Sequence, residues 1–154
     1  YGLVGSEMCI RDSSITMENG AQVTLKGQTS NRSPISWKSQ KSSVAEIDEN
    51  GKISAKKPGE TTITAKADGT KKTCHVTVKK PKVTLNYTSA SLSRNQTLLL
   101  TAKVSSGKKV TWKSQKKSVA TVNSRGKVTA IKRGTTKIRA SIDGVTKECT
   151  ITVL

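Results

Sequence analysis

The chain repeats itself at an offset of 75 residues. The segment Trp37–Lys41, with sequence WKSQK, recurs as Trp112–Lys116, and the offset holds without a gap to the last residue. Other identical residues in register are Gly51 and Gly126, Gly59 and Gly134, Asp68 and Asp143, and Cys74 and Cys149. A repeat of this length is the size of a small domain, so we expect each copy to form a core of its own. Duplication of a whole domain is more typical of a spacer or an array than of a catalyst.

The N-terminal residues do not fit the repeat. Residues 2–13, which include the run LVGSEMCIRDS, resemble the translation of a transposon-end adaptor used in sequencing libraries. The alternatives are a native N-terminal arm or the remnant of a signal peptide. A signal peptide needs a continuous apolar stretch, and Glu7, Arg11 and Asp12 interrupt any such run. We therefore interpret residues 1–13 as a non-native, adaptor-derived segment and leave Cys9 out of the cysteine count.

The boundary between the copies is predicted at the basic, proline-containing segment Lys79–Lys82. It gives a first repeat over residues 14–79 and a second repeat over residues 80–154. The opening strand of the second repeat contains Val83, Leu85 and Tyr87, whose counterparts are Met8, Ile10 and Asp12 of the adaptor-derived segment. We therefore expect the first repeat to lack its native first strand, and to be the less stable domain because its sheet edge and core margin are poorly filled.

Apolar and polar residues alternate in short runs along both copies. In the second copy such runs include residues 98–104, 138–142 and 149–153. Asp143-Gly144 separates the last two runs and predicts a tight hairpin turn, because glycine accepts a positive φ. Period-two runs with regular turn signals, and no helical periodicity, predict an all-β protein made of two tandem β-sandwich domains.

The order of the motifs resembles that of the bacterial Ig-like domain, group 2. The matching segments of the second copy are Val110–Ser114, Ser118–Val122, Gly126–Ala130, Gly134–Ile138 and Glu148–Val153. The first copy repeats the pattern from Ile35–Ser39 to Thr73–Val78. This resemblance, shared with intimin- and invasin-like adhesins, implies Ig-like sandwiches in tandem arrays, an extracellular location, and a structural or adhesive role. It supplies no catalytic residues.

Positive charge is concentrated in the second copy. Residues 80–154 carry 16 basic and 2 acidic side chains, against 11 and 6 in residues 14–79. A surface with this bias attracts polyanions at low salt. The candidate polyanions are wall teichoic acids, sulfated or sialylated glycans, anionic lipid headgroups and nucleic acid.

Ten basic residues form the predicted polyanion-binding set. They are Lys108, Lys109, Lys113, Lys116, Lys117, Lys127, Lys132, Arg133, Lys137 and Arg139. Specific nucleic-acid binding is not predicted, because it would require interleaved aromatic residues for base stacking, and both tryptophans occupy core-pattern positions. No apolar run approaches the ~20 residues that a membrane-spanning helix needs.

Other reactive side chains are expected to be structural. Cys74 and Cys149 occupy equivalent, inward-facing strand positions, which predicts a buried free thiol in each domain rather than a disulfide or metal pair. His75 is the only histidine and should point outwards, without the ligand cluster of a zinc site or the partners of a catalytic triad. The acidic turn Asp48–Gly51 offers oxygen ligands of the kind that calcium binds. Its counterpart in the second copy, Asn123–Gly126, contains no carboxylate, which favours a solvated turn over a calcium site. No metal or cofactor is predicted.

These observations predict a non-catalytic, extracellular Ig-like repeat of a bacterial cell-surface or secreted protein. Its role would be that of a spacer or an adhesive stalk, with further Ig-like repeats of the parent protein as neighbours. The alternative is a binding module that docks through its basic second domain on anionic glycans or cell-wall polymers. Intracellular nucleic-acid binding and catalysis fit the residues less well.

Overall fold

The structure, a computed structural model, describes the backbone of Glu7–Cys9 and residues 13–27, 29 and 32–154. The chain divides into two compact units, Tyr1–Lys80 and Pro81–Leu154, which are called the first and second domains below. Every regular element in the described ranges is a β-strand, so the predicted all-β class is confirmed. None of the described residues forms a helix of the length and apolarity that crossing a membrane requires.

The first domain contains two four-stranded sheets that pack face to face. Its strands are β1 (Glu7–Cys9), β2 (Ser13–Met17), β3 (Gln22–Lys26), β4 (Ser36–Ser39), β5 (Ala45–Ile47), β6 (Lys52–Ala55), β7 (Gly59–Ala67) and β8 (Thr70–Val78). One sheet has the order β1-β3-β6-β5 and the other the order β2-β8-β7-β4. Strand β2 runs parallel to β8, and β7 and β8 form a long antiparallel hairpin.

The second domain repeats this arrangement with its strands divided among three sheets. The strands are β9 (Val83–Leu85), β10 (Ser89–Leu92), β11 (Thr97–Leu99), β12 (Ala102–Val104), β13 (Thr111–Ser114), β14 (Ala120–Val122), β15 (Lys127–Ala130), β16 (Gly134–Ile142) and β17 (Val145–Val153). The sheet orders are β10-β17-β16-β13, β11-β15-β14 and β12-β9. Asp143 and Gly144 join β16 to β17 with φ values of 44° and 77°, which confirms the predicted hairpin turn.

Each domain has a core at equivalent positions. Alternate side chains of β8, Cys74, Val76 and Val78, are almost fully buried, and Ile63 of β7 and Ile53 of the opposite sheet pack against them. The corresponding residues of the second domain form a second buried cluster. Because successive side chains of a strand point to opposite faces, the residues between them are left on the outer face of the sheet. The outer faces are therefore free to differ while the cores stay alike.

A tryptophan packs against a turn glycine in both domains. Gly126 has a φ of +82°, and a Cβ atom built on it would lie 2.2 Å from the carbonyl oxygen of Leu100 and 3.0 Å from Trp112 Cε2. Gly51, with a φ of +80°, meets Leu25 and Trp37 in the same way. The tryptophans and glycines that keep register in the sequence are therefore contact partners, and only glycine satisfies both the turn and the packing.

The first strands of the two domains differ. Strand β9 pairs antiparallel with β12, and Leu85 lies opposite Ala102. Strand β1 instead runs parallel to β3, and Met8 lies opposite Leu25. Strand β1 thus pairs with a different strand from that of β9, and in the opposite direction. The predicted positions of Ile10 and Asp12, and the side chain of Met8, lie outside the described residues.

Candidate polyanion-binding surface

The ten predicted basic residues are distributed over separate places in the second domain. Seven of them lie on strands β13 and β16 or on the turns at one end of these strands: Lys113, Lys116, Lys117, Lys132, Arg133, Lys137 and Arg139. These seven residues are called the basic surface below. All seven side chains are exposed to solvent.

The strand part of the basic surface is set by sheet register. Lys113 of β13 lies directly opposite Arg139 of β16, and Lys137 is two residues away on the same strand. Their neighbours in sequence, Ser114 and Ile138, are buried. Because side chains alternate along a strand, the three cations must project from the outer face of the same sheet.

Hydrogen bonds hold the two basic turns beside that face. The carbonyl oxygen of Val119 accepts from the backbone N–H groups of Ile131 at 2.8 Å and Lys132 at 3.2 Å. The backbone N–H of Lys116 donates to Thr136 Oγ1 at 2.9 Å. The turn between β13 and β14 therefore lies against the connection between β15 and β16, so that cations distant in sequence become neighbours.

The other three predicted residues lie elsewhere. Lys108 Nζ is 2.9 Å from Asp143 Oδ2, at the hairpin turn that ends β16. Lys109 lines an open groove of about 300 Å³ beside Trp112, together with Arg125. Lys127 begins β15 and belongs to another sheet. These three residues therefore lie apart from the basic surface, since the whole length of β13 separates Lys109 from Lys116.

One carboxylate that no sequence motif marked as a candidate lies within the basic surface. Glu148 of β17 accepts from Lys137 Nζ at 2.9 Å and from Arg139 Nε at 2.6 Å. These hydrogen bonds, first that of Lys137 and then that of Arg139, lower the pKa of Glu148 below its ordinary value. The hairpin turn predicted at Asp143-Gly144 already implied this contact, because it places Glu148 opposite Arg139.

Arg139 is held by a second partner. The side-chain amide of Gln115 has one orientation in which both its oxygen and its nitrogen find hydrogen-bond partners. In that orientation the oxygen accepts from Arg139 Nη2 at 2.6 Å and from Arg139 Nε at 3.0 Å. Arg139 is therefore fixed between Gln115 and Glu148. The other five cations of the basic surface take part in no salt bridge among the described residues; they are Lys113, Lys116, Lys117, Lys132 and Arg133.

The first domain has a weaker version of the basic surface. Lys38, Lys41 and Lys57 correspond to Lys113, Lys116 and Lys132, but the remaining counterparts are Ser42, Pro58, Thr62 and Thr64. An exposed carboxylate, Glu60, is also present on this face, 3.7 Å from His75 Nε2. His75 is about half exposed, as predicted, and lies beside one carboxylate.

The remaining candidate residues serve the fold. Cys74 and Cys149 are free and fully buried, which confirms the predicted burial, and burial raises the pKa of both thiols. Asp48 Oδ1 accepts from the backbone N–H groups of Asn50 and Lys52, both at 2.9 Å. Asn123 makes the same two contacts in the second domain. Within the described ranges, no cluster of three His, Cys, Asp or Glu residues has the arrangement of a metal site.

Comparison with protein families identifies both halves of the chain. Residues 7–78 match the bacterial Ig-like domain (group 2), and residues 108–154 match a bacterial Ig-like domain. The chain carries two tandem bacterial Ig-like domains. The motifs that carried the resemblance in the sequence are the strands and turns that build each Ig-like sandwich.

One relative and several solved structures resemble these Ig-like domains. An uncharacterized protein of Clostridium acetobutylicum is 36% identical over 118 residues, which is 71% of this chain but 12% of the relative. Domains 4 and 5 of the S-layer protein SbsC are 18% identical, with a TM-score of 0.40 and coverage of 91% of this chain and 92% of that one. A C-terminal intimin fragment in complex with its receptor's intimin-binding domain is 20% identical, with a TM-score of 0.43 and coverage of 85% and 56%.

Proposed function

We propose that the chain is a non-catalytic Ig-like repeat segment that acts as a spacer or an adhesive stalk of a bacterial cell-surface or secreted protein. The observation that carries this proposal is that most of the residues shared by the two domains have structural roles. Their common residues build cores, turns and the tryptophan–glycine contact and include a few exposed lysines, whereas other positions of the outer faces differ. A segment selected to fold and to repeat shows this pattern, whereas a catalyst would be expected to keep a polar site in one of the domains.

The shared buried polar groups illustrate the point. Ser114 Oγ donates to the carbonyl oxygen of Ala120 at 2.6 Å, and Ser39 Oγ donates to that of Ala45 at the same distance. Thr136 Oγ1 accepts from the backbone N–H of Lys116 at 2.9 Å, and its counterpart Thr61 Oγ1 accepts from that of Lys41 at the same distance. These hydroxyl groups satisfy the backbone of one turn in each domain, as buried polar groups must.

The reactive side chains support a non-catalytic role. Both thiols are buried with a raised pKa, so neither presents the thiolate that nucleophilic catalysis uses. The His75 side chain projects from an outer sheet face towards Glu60, and no hydrogen bond joins its imidazole to a serine, threonine or cysteine side chain among the described residues. Catalysis needs a nucleophile and a base within hydrogen-bonding reach.

The size of the relative supports a role within a longer protein. The chain spans about an eighth of the length of the Clostridium acetobutylicum relative that it matches. Tandem domains that each own a core add length to such a protein without adding chemistry. We place this segment on the exterior of the cell, between other parts of its parent protein.

Surface display tests the spacer role. The chain would be placed between a cell-surface anchor and a terminal epitope, and binding of a bulky antibody to the epitope would be measured. We expect antibody binding to fall when the second domain is deleted and to recover when a second copy of residues 14–79 replaces it. Unchanged binding after deletion would contradict a spacer. Recovery that requires the native second domain would instead indicate a role for its particular surface.

A further inference from the structure

We propose that the basic surface of the second domain binds a linear anionic polymer, namely a glycan or polyol chain that carries phosphate or sulfate groups. This role goes beyond spacing, because a spacer needs no particular ligand. The polymer class includes cell-wall polymers of the bacterium and sulfated glycans of a host surface. Their shared chemistry is a repeated, singly charged oxyanion on a flexible backbone without bases.

The arrangement of cations suits a chain-like ligand. Lys113 and Arg139 lie on adjacent strands, about 5 Å apart in the sheet, and Lys137 is about 7 Å from Arg139 along its strand. Lys116, Lys117, Lys132 and Arg133 extend the positive charge beyond the end of the sheet. A flexible polymer can therefore contact cations on the face and on the turns at once, whereas a single small anion would use one or two of them.

Most of this charge is uncompensated within the domain. Residues 80–154 contain two acidic side chains, Asp143 and Glu148. Asp143 is engaged by Lys108 at the far end of the hairpin, and Glu148 is engaged by Lys137 and Arg139. The five other cations of the basic surface have no acidic side chain left in their domain to pair with, so an external anion supplies the missing charge.

The surroundings of the basic surface favour a polymer without bases. Trp112 packs against the core and Gly126, on the inner side of β13. Tyr87 is 47% exposed but precedes β10, at the opposite edge of the sheet from β13. Nucleic-acid bases would find no aromatic side chain to stack on at this surface.

Neutralisation of the basic surface tests the proposal in the full chain. One variant carries Lys113→Gln, Lys117→Gln and Lys132→Gln. The control carries Lys82→Gln, Lys103→Gln and Lys127→Gln, which removes the same charge from exposed residues outside the basic surface. Affinity for purified wall teichoic acid and for heparin would be measured by titration at several salt concentrations. We expect the first variant to lose about tenfold in affinity at low salt and to show a shallower salt dependence, and the control to lose about twofold.

A matched pair of charge-increasing variants tests the position of the site. Glu148→Gln removes the acidic group from the basic surface, and Asp143→Asn removes the same charge at the other end of the hairpin. Asparagine tolerates the positive φ of position 143. We expect Glu148→Gln to tighten binding severalfold and Asp143→Asn to change it little. A third variant, Thr62→Lys with Thr64→Arg, should increase binding by transferring two cations to the first domain.

The outcomes separate the explanations. Equal losses in the basic-surface and control triple variants would overturn the proposal in favour of diffuse attraction by net charge. Equal gains from Glu148→Gln and Asp143→Asn would overturn it as well. Tighter binding of single-stranded DNA than of both glycan-type polymers, at the same charge and salt, would assign the surface to nucleic acid instead. Circular dichroism of each variant would verify that the fold is retained.

Discussion

At the scale of single residues, the contact between a turn glycine and a tryptophan is the most demanding feature of each domain. Gly126 combines a positive φ with a site where any side chain would collide with Leu100 and Trp112. The hairpin glycine Gly144 has nearly the same φ, +77°, but open space around it. Substitutions at Gly126 and Gly144 can therefore be compared to separate the free-energy cost of the backbone conformation from the free-energy cost of packing.

We expect Gly126→Ala to destabilise the second domain much more than Gly144→Ala. The left-handed conformation costs a residue with a side chain about 1–2 kcal/mol at either position. Overpacking adds about 1–3 kcal/mol at position 126 only. Urea unfolding followed by circular dichroism measures both free energies. Equal losses of unfolding free energy in the two variants would show that the contact with Trp112 does not restrict the residue at position 126.

The buried thiols lead to a second prediction at this scale. In a Cys9→Ser background, Cys74 and Cys149 should react slowly with a thiol reagent in the native protein and rapidly in denaturant. Because their pKa is raised in the folded state, the stability they contribute is complete below the pKa of the unfolded thiol and is lost as the pH rises above it. Melting temperatures measured from pH 7 to pH 10 should therefore fall less in a Cys74→Val, Cys149→Val variant. Rapid native labelling, or an identical fall, would refute burial of the thiols.

At the scale of strands, the first strand distinguishes the domains. Strand β9 buries Val83 and pairs antiparallel with β12, whereas β1 pairs parallel with β3. This difference agrees with the interpretation that the segment before residue 14 is not native to the repeat.

Replacement of residues 7–12 by the sequence of Lys82–Tyr87 should therefore stabilise the first domain. The graft supplies the apolar residues that the second domain uses at these positions, in place of an acidic residue at position 12. Thermal unfolding of the fragment 1–80 with and without the graft measures the effect, and we expect a rise of several degrees. A scrambled graft of the same composition is the control. No rise, or an equal rise with the scrambled segment, would contradict a missing native strand.

Strand alternation and turn glycines predicted most of the fold but only part of the candidate site. The alternation predicted which residues of β16 and β17 are buried, and the Asp-Gly turn implied their register. The sequence did not indicate that Lys108 and Lys109 lie away from Lys116, because the strand between them carries the chain from one end of the domain to the other. Hydrogen bonds between the β13–β14 turn and the β15–β16 connection bring Lys132 close to Lys116. No local sequence pattern predicts such contacts.

At the scale of the whole molecule, the two domains should unfold separately. Trp37 packs on the core of the first domain and Trp112 on that of the second. Single Trp→Phe variants therefore report each domain by fluorescence. We expect the transition that Trp37 reports to occur at the lower temperature, because we interpret the first strand of its domain as non-native. Coincident transitions, or the reverse order, would contradict this prediction.

The uneven charge leads to a prediction on salt. Repulsion among like charges destabilises a compact state, and salt screens exposed charges beyond ~8 Å at physiological ionic strength. Raising the salt concentration from a low value should therefore increase the melting temperature that Trp112 reports more than the one that Trp37 reports. The effect should shrink in the Lys113→Gln, Lys117→Gln, Lys132→Gln variant. Equal salt responses in the two domains would show that repulsion is negligible.

In each domain, the last strand in sequence pairs in parallel with an edge strand of its sheet, and this pairing has a mechanical consequence. Strand β10 lies beside β17 over four residue pairs, from Ser89 opposite Thr150 to Leu92 opposite Val153, and β2 lies beside β8 in the same way. The chain therefore enters one end of the strand pair and leaves from the other. Tension along the chain pulls β10 and β17 past each other lengthwise, which loads their hydrogen bonds together in shear. An antiparallel pair pulled from one end would instead open one bond at a time, so this topology resists pulling.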